Sequence, residues 1–364
     1  MDERLMKKCI GKPVPEWDMA HRLPIDRPVG PEIQDFGSIF CVNSTFIDAV
    51  EPSFLEKQWY ITGGVLAFIC VGIGPYVYWL TEVRYPDAGG LFGDFFALCI
   101  STIFAFIASK VVRGFFFGLR YRPIRFHRGE KMLYSIRTRR YFAGRGDGDV
   151  VWEAPWARDS IFCLHREDTP FGTVFHIRHY AVDDQGNVIR AFSIGREWTG
   201  KAQVEMALAQ WNYWCKYMND GPNGLPKPML FHTQHETLRE SFLFSMYGFG
   251  MRAPAFVRIL MMPQILLFTV LRSVANATSR DPVWPLAIEK ISTIAPDDPY
   301  TEPRHGTPVG WGETVLAQER GDYPNNPRAR VEGWHDTDDS RQHAAAWLKN
   351  PAGHAAPPVV REVQ

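Results

Sequence analysis

The longest apolar stretch of the chain runs from Gln58 to Thr81, reads QWYITGGVLAFICVGIGPYVYWLT and contains no charged side chain. Since a helix rises about 1.5 Å per residue and the hydrocarbon core of a bilayer is about 30 Å thick, roughly twenty apolar residues span it. Aromatic residues near both ends match the belts expected at the two membrane surfaces: Trp59, Tyr60, Tyr76, Tyr78 and Trp79. The pattern predicts a transmembrane helix, with a buried core helix as the alternative.

A second apolar stretch, FFALCISTIFAFIASKVV, runs from Phe95 to Val112 and has Lys110 as its one charged side chain. Lys110 lies near the end of the stretch, where a long side chain reaches the headgroups while its stem stays in lipid. The short link between the two stretches contains Pro and Gly. We therefore expect a transmembrane hairpin at 58–118, with spans at 58–81 and 95–112, preceded by a polar N-terminal segment at 1–57.

Basic side chains cluster directly after the second stretch. Between Lys110 and Arg145 there are eleven Lys or Arg residues and one acidic residue, Glu130. Because cytoplasmic flanks collect Lys and Arg, the cluster predicts a multi-pass protein of the bacterial inner membrane with both termini in the cytoplasm.

The same cluster is the candidate membrane-surface site. The cations expected to contact anionic lipid headgroups are Lys110, Arg113, Arg120, Arg122, Arg125 and Arg128. RNA binding is the alternative for basic residues mixed with aromatic ones, but a lipid surface is favoured because the cluster emerges directly from the bilayer.

Beyond Arg120 the pattern changes to short apolar segments separated by Gly, Asp and Pro, which is typical of antiparallel strands. The candidate strands are Arg122–His127, Lys131–Arg137, Asp149–Trp152, Ser160–His165, Thr173–Val182 and Val188–Ile194. From Thr199 to Met218 apolar residues recur at helical spacing. The expected fold class is α+β: the hairpin is followed by a small antiparallel β domain at 119–220, a roll of the pleckstrin-homology kind closed by a helix.

The region at 229–294 is expected to be helical. Its apolar patch, Ile259–Leu271, is short for a span and is bracketed by Arg258 and Arg272, which favours a buried or interfacial helix over a third span. From 295 to 364 Pro, Gly, Asp, Arg and His dominate, which predicts a disordered tail. Its isolated tryptophans are docking points either for a partner or for the protein's own domain: Trp311, Trp334 and Trp347.

Composition narrows the class of protein. Forty basic and forty acidic side chains cancel, so that the chain lacks the overall positive field of a general nucleic-acid binder, and no nucleic acid is expected as a partner. A hydrophobic fraction of 46% with a mean hydropathy of −0.20 indicates a membrane-anchored soluble protein and not a polytopic transporter. The six cysteines form no CxxC pair, which argues against a disulfide framework or a zinc ribbon.

The chain contains two pairs of potential metal ligands, and neither pair is enough to hold a metal ion. His176 and His179 are three residues apart on a predicted strand and are expected to point to opposite faces. His232 and Glu236 would share one face of a helix, but two ligands do not make a site. No metal ligand is therefore predicted.

One segment is close to a phosphate-binding loop. Gly195–Ala202 reads GREWTGKA, but Ala202 replaces the hydroxyl that would hold magnesium, and bulky Trp198 occupies the loop. No catalytic or cofactor-binding residue and no cofactor are predicted.

Three segments carry a resemblance to a known family: YRPIRFHRGEKMLYSIR, then VVWEAPW, then FSIGREWTGKAQVEMALAQWNYWCKYM. Over about Phe54 to Pro222, and loosely on to Ile294, the chain resembles an uncharacterised proteobacterial family of membrane-tethered proteins with a domain of unknown function. The resemblance implies the membrane topology. Because some members are encoded beside type VI secretion effectors, it also implies an accessory or immunity role, without implying any chemistry.

These observations predict a membrane-anchored, non-enzymatic protein with two partners. One is the lipid bilayer that holds its anchor, and the other is a protein bound by its cytoplasmic domain. The resemblance makes a secretion effector or a secretion component the expected partner. The alternatives are a membrane-tethered enzyme with an unrecognised pocket near His176 or His232, and a lipid-binding or membrane-organising module.

Overall fold

The computed structural model describes residues 9–74, 76–78, 80, 91–137, 149–169, 172–247, 254–324, 328–334 and 339–351. Within these ranges the protein is a mixed α+β structure with antiparallel sheets, which confirms the predicted class. Trp79, the link at 81–90 and the last residues, 352–364, lie outside the described part of the chain.

The elements are numbered in chain order. The strands are β1 (Glu32–Ile33), β2 (Ile39–Val42), β3 (Phe46–Ala49), β4 (Ile124–His127), β5 (Met132–Arg137), β6 (Val150–Pro155), β7 (Ile161–Thr169), β8 (Gly172–Val182), β9 (Val188–Thr199) and β10 (Ala329–Arg330). The helices are α1 (Glu16–Ala20), α2 (Pro52–Leu55), α3 (Lys57–Ala67), α4 (Leu91–Phe117), α5 (Val204–Asp220), α6 (Leu238–Tyr247), α7 (Ala255–Leu260), α8 (Met262–Thr278), α9 (Leu286–Ile291), α10 (Trp311–Arg320) and α11 (Ser340–Lys349).

The larger sheet has five strands in the order β2–β3–β4–β5–β6. β3 pairs with β4 in antiparallel register, from Phe46 opposite His127 to Ala49 opposite Ile124. The N-terminal segment therefore supplies two strands of this sheet, which corrects the expectation that 1–57 is a separate polar segment and that the β domain begins only after the hairpin. Strand pairing between residues so distant in sequence is invisible to a local pattern.

The smaller sheet has three strands, β7–β8–β9, and α5 packs against both sheets. Trp214 stacks on Phe126 of β4 with ring centroids 4.9 Å apart, and Trp211 lies 5.3 Å from Phe162 of β7. The helix expected from Thr199 begins later, because β9 continues through Thr199 and a 3-10 turn follows it. The aromatic face of α5 thus joins the two sheets into one core.

Two apolar helical segments lie between β3 and β4. The segments Lys57–Tyr78 and Leu98–Phe117 are long and apolar enough to cross a membrane, and only 18% and 12% of the residues in their most apolar parts are buried. The helix that begins with α3 continues as a π-helix over Phe68–Ile73. It approaches the other helix so closely that a Cβ placed on Gly72 would lie 3.0 Å from the Cβ of Ala105.

The C-terminal region packs on the rest of the protein. β10 pairs with β1, α10 packs against α6, and α11 packs against α5. Trp347 of α11 is 1% exposed, whereas Trp311 and Trp334 are partly buried. The expectation of a disordered tail is therefore wrong for the described residues after 295. Short amphipathic helices of this kind gain their stability from the surface they cover, which composition does not reveal.

Candidate functional site

A network of buried polar side chains lies where the start of the first apolar helix meets α8. At its centre Arg272 of α8 forms a two-pronged ion pair with Glu236, with Nη2 to Oε1 at 2.6 Å and Nε to Oε2 at 2.8 Å. The side chains of Arg272 and Glu236 are 0% and 2% exposed. We call this group, together with Lys57, Gln58 and Asn276, the junction network.

The junction network reaches the start of α3 through three donors. Arg272 donates through Nη1 to the side-chain oxygen of Gln58 at 2.7 Å. Lys57 donates to the side-chain oxygen of Asn276 at 2.8 Å, and Asn276 donates in turn to Glu236 at 2.7 Å. Since every bond needs a fixed geometry, the network holds the first turn of α3 in one position against α8.

In the junction network the charge of Arg272 stabilises the charged form of Glu236. Burial by itself raises the pKa of the Glu236 carboxyl, but the charge of Arg272 and its hydrogen bonds outweigh burial and hold that pKa below its usual value. The guanidinium of Arg272 also lies 3.7 Å from the ring centroid of Phe244. The pair therefore stays ionised in a buried position, where removing one partner is costly.

One of the predicted lipid-contacting cations is not available to lipid. Arg125 is 7% exposed and forms two hydrogen bonds with Asp48 on the paired strand, at 2.7 Å and 2.6 Å. Its guanidinium lies between the rings of Phe46 and Trp284. The expectation that Arg125 contacts headgroups is wrong, because β3 brings an acidic partner to it.

The other predicted lipid contacts divide into two groups. Arg120, Arg122 and Arg128 are partly buried and bind protein groups, namely Asp281, Glu51 and the carbonyl oxygen of Ser44. Lys110 and Arg113 lie on α4 within the candidate span, and Arg113 is exposed. Headgroup contact thus stays a prediction for these residues.

His232, His235 and Glu236 do not share a helical face, because α6 begins only at Leu238. The Nε2 atom of His232 donates to the carbonyl oxygen of Gly37 at 2.6 Å. Burial lowers the pKa of His232 to about 4, so its ring is neutral at pH 7. Among the described residues no cluster of metal-binding side chains is found.

The strand histidines take part in a second buried network. His165 and Tyr180 both bind the same carboxyl oxygen of Asp18, at 2.7 Å and 2.5 Å, and Arg178 lies 3.0 Å from the Nε2 atom of His176. Burial, with Arg178 and His165 nearby, lowers the pKa of His176 well below its usual value. This network ties α1 to the smaller sheet, and sequence reasoning missed it because Asp18 is distant in the chain.

The segment Gly195–Ala202 is not a phosphate loop. Its first five residues belong to β9, and Trp198 is buried. Gly195 has a φ of +73°, and a Cβ at this position would lie 2.3 Å from the ring of Trp214. Glycine is therefore required here by the close approach of α5.

A cleft of about 500 Å³ is formed by three distant parts of the chain. Its charged lining consists of Arg22, Arg27 and Arg158 against one acidic residue, Asp26, and Trp347 is a further lining residue. Arg22 donates to the carbonyl oxygen of Ser160 at 2.8 Å, whereas the side chain of Arg158 is 88% exposed. We call this feature the arginine cleft. Sequence analysis missed it because no single segment contains it.

The comparisons with known proteins give one family. The profile described as "Family of unknown function (DUF6708)" matches residues 101–296, which is more than half of the chain. Neither the curated proteins nor the solved structures give a match. The matched range begins inside α4, so that β2 and β3 lie before it although they belong to the same sheet as β4.

Proposed function

Because the chain belongs to the family of unknown function DUF6708, we propose a role from its own structure: a non-enzymatic protein anchored in the bacterial inner membrane by a two-helix hairpin. Its soluble part lies on the cytoplasmic side and binds a protein partner. In this proposal the two sheets and α5 form a roll of the pleckstrin-homology kind.

The observation that carries the proposal is the position of the hairpin in the larger sheet. β3 and β4 are paired neighbours, and both apolar helices lie in the connection between them. A sheet with open edges stays outside the hydrocarbon core, so both strands lie on one side of the bilayer. A connection that leaves and returns on that side crosses the membrane an even number of times.

The exposure of the helices supports lipid as their surroundings. Large apolar side chains such as Phe95, Phe104 and Ile107 are half exposed or more, unlike those of a buried core helix. Lys110 and Arg113 near the end of α4 support a cytoplasmic side by the rule that cations collect there.

Reporter fusions test the topology. A cytoplasm-active fluorescent reporter fused at either end of the full chain should be bright, and a periplasm-active phosphatase at either end should be inactive. Activity of the phosphatase at both ends would reverse the orientation, whereas opposite results at the two ends would refute the paired crossing.

For the partner we propose the arginine cleft as the binding site and an acidic segment as its ligand. The excess of guanidinium groups over carboxylates in its lining favours a negatively charged ligand. Arg158 is the side chain best placed to meet such a segment. It is exposed, and its distance to the Asp26 carboxylate, 4.0 Å, is at the limit of an ion pair.

Co-purification from native membranes in mild detergent tests the partner. We expect a stoichiometric protein to be retained by the wild-type chain and lost in Arg158→Glu. Arg320→Glu is the matched control, because Arg320 is also largely exposed and pairs with nearby Asp322. Retention by both variants would refute the arginine cleft as the site.

The resemblance of the chain to membrane-tethered proteins encoded beside type VI secretion effectors supports a sharper proposal. In it the protein is an accessory or immunity factor and the partner is an effector or a secretion component. Co-expression with an effector gene from the same locus tests it: a rescue of growth supports immunity, and unchanged toxicity refutes it.

A further inference from the structure

The α7 and α8 helices have apolar side chains on their exposed face, and α8 has polar side chains on its buried face. Arg272 is the one charged residue in α8, and it is completely buried, as are Thr269 and Asn276. Between Leu266 and Val274 every exposed residue of α8 is apolar: Leu266, Leu267, Val270 and Val274. A helix that faces water on one side carries its polar residues on that side, so this outer face does not fit a position in water.

The α7 helix enlarges the same apolar surface. It joins α8 through Met261, and its apolar side chains are among the most exposed of the described residues, with Phe256 and Leu260 both at 71%. Contiguous exposed apolar surface of this kind marks a contact with a partner or with a membrane.

Contacts with the first apolar helix fix the direction of α8. Phe268, Arg272 and Asn276 contact Trp59, Gln58 and Lys57 respectively. These contacts extend over about 12 Å along α8 but over only about 3 Å along α3. α8 therefore lies across the start of α3 and not alongside it.

The same contacts fix the level of α8 relative to the candidate spans. Besides the start of α3, it reaches the end of α4, because Ser279, which follows α8, donates to the carbonyl oxygen of Phe115 at 3.1 Å. The two ends of the hairpin mark the membrane surface if the hairpin crosses the bilayer. Because α8 contacts both the start of α3 and the end of α4, it then lies at the level of that surface.

We infer that α7 and α8 form an in-plane membrane helix pair, with the exposed apolar face inserted among the acyl chains of the leaflet nearest the soluble domain. The occupant of this face is lipid, because α8 packs directly against both apolar helices, whose own large exposed side chains are apolar. Helices with such a face lie about 5–10 Å into the headgroup and acyl boundary. This inference rests on the proposed membrane hairpin.

Together with the hairpin, this surface would give the soluble domain a fixed orientation. Two helices that only pass through the bilayer leave the attached domain free to tilt, whereas an inserted in-plane pair adds a second contact. The junction network lies directly behind the inserted face, since Arg272 and Asn276 point inward from the same helix.

Photolabelling from lipid tests the inference. The full chain is reconstituted into phospholipid vesicles that contain a lipid with a diazirine near the glycerol end of one acyl chain, and labelled residues are mapped by mass spectrometry. We expect label on Phe256, Leu260, Leu266 and Val270 and on the two spans. Ile189 is the control, because it is apolar and 58% exposed but belongs to β9 of the smaller sheet, outside the hairpin and the α7–α8 face.

The outcomes separate this inference from the proposed function. Labelled spans with an unlabelled α7–α8 face would overturn the inference and leave the hairpin intact; a second copy or another protein covering the face gives this result, since lipid is then excluded. Absence of label from the spans would overturn both. In Leu266→Asp with Val270→Asp, we expect label to be lost from α8 and kept on the spans.

Discussion

Replacement of Arg272 by methionine tests whether the junction network stabilises the fold. Methionine keeps an unbranched side chain against Phe244 but removes both hydrogen bonds to Glu236 and the bond to Gln58. Glu236 then retains Asn276 and Ser241 as donors. Breaking a buried pair by removing one partner costs about 3–5 kcal/mol.

Thermal unfolding in detergent, followed by tryptophan fluorescence, measures this loss. At about 2 °C per kcal/mol for a cooperative unit of roughly 250 residues, we expect Tm to fall by roughly 6–10 °C. The matched control is Arg239→Met on α6, whose pair with Glu313 is 3.4 Å long and whose side chain is 64% exposed. A surface pair of this kind contributes about 0–1 kcal/mol.

The pH dependence of the fall in Tm caused by Arg272→Met supplies a second readout. In the wild type the folded pKa of Glu236 is below its usual 4.5, so the pair contributes stability above that pH, which is lost as the pH falls through the folded pKa. In Arg272→Met burial dominates and raises that pKa, so the carboxylate costs stability at neutral pH. The difference in Tm between variant and wild type should therefore shrink from pH 7 to pH 5.

A double variant completes the test. In Arg272→Met with Glu236→Gln the buried carboxylate that Arg272 no longer pairs is removed, and we expect part of the lost stability to return, since Lys57 stays buried. The reasoning is refuted if Arg272→Met lowers Tm no more than Arg239→Met, or if the double variant is as unstable as the single one.

Three further substitutions test other parts of the fold. Gly195→Ala places a Cβ 2.3 Å from Trp214 at a φ of +73°, so we expect a loss of about 1–3 kcal/mol in thermal unfolding, and an unchanged Tm would contradict that contact. Trp347→Ala removes a side chain that is 1% exposed, at a cost of about 3–5 kcal/mol, and should make the C-terminal segment sensitive to limited proteolysis; an equally resistant chain would disprove the packing of α11. Asp48→Asn leaves Arg125 buried without its carboxylate and should cost about 3–5 kcal/mol by denaturant unfolding, whereas a loss below about 1 kcal/mol would show that the pair is not buried.

The sequence was most informative where structure is local. The two apolar stretches and the strands from 124 to 199 follow from the sequence pattern, because the length of an apolar run and the turn residues between short apolar segments are properties of neighbouring residues. The cluster of basic residues near Arg113 can also be recognised from the sequence, although the groups that these residues contact cannot.

The functional features depend on residues far apart in the chain. The arginine cleft takes Arg22, Arg158 and Trp347 from three regions, and the junction network takes Lys57, Glu236 and Arg272 from three others. No spacing rule connects such residues. Only folding brings them together. The sequence therefore shows which charged and aromatic side chains are present, but not which of them are neighbours in space.

What the sequence by itself determined is the kind of each segment: two long apolar helices, an antiparallel β region and an aromatic helix at its end. Only the tertiary structure decided that β2 and β3 join β4 around the hairpin, that Arg125 pairs with Asp48, and that the C-terminal segment packs on α5. The physical reason is that helix and strand patterns report which faces are apolar. They do not report which surface each face covers, because that depends on contacts made across the whole chain.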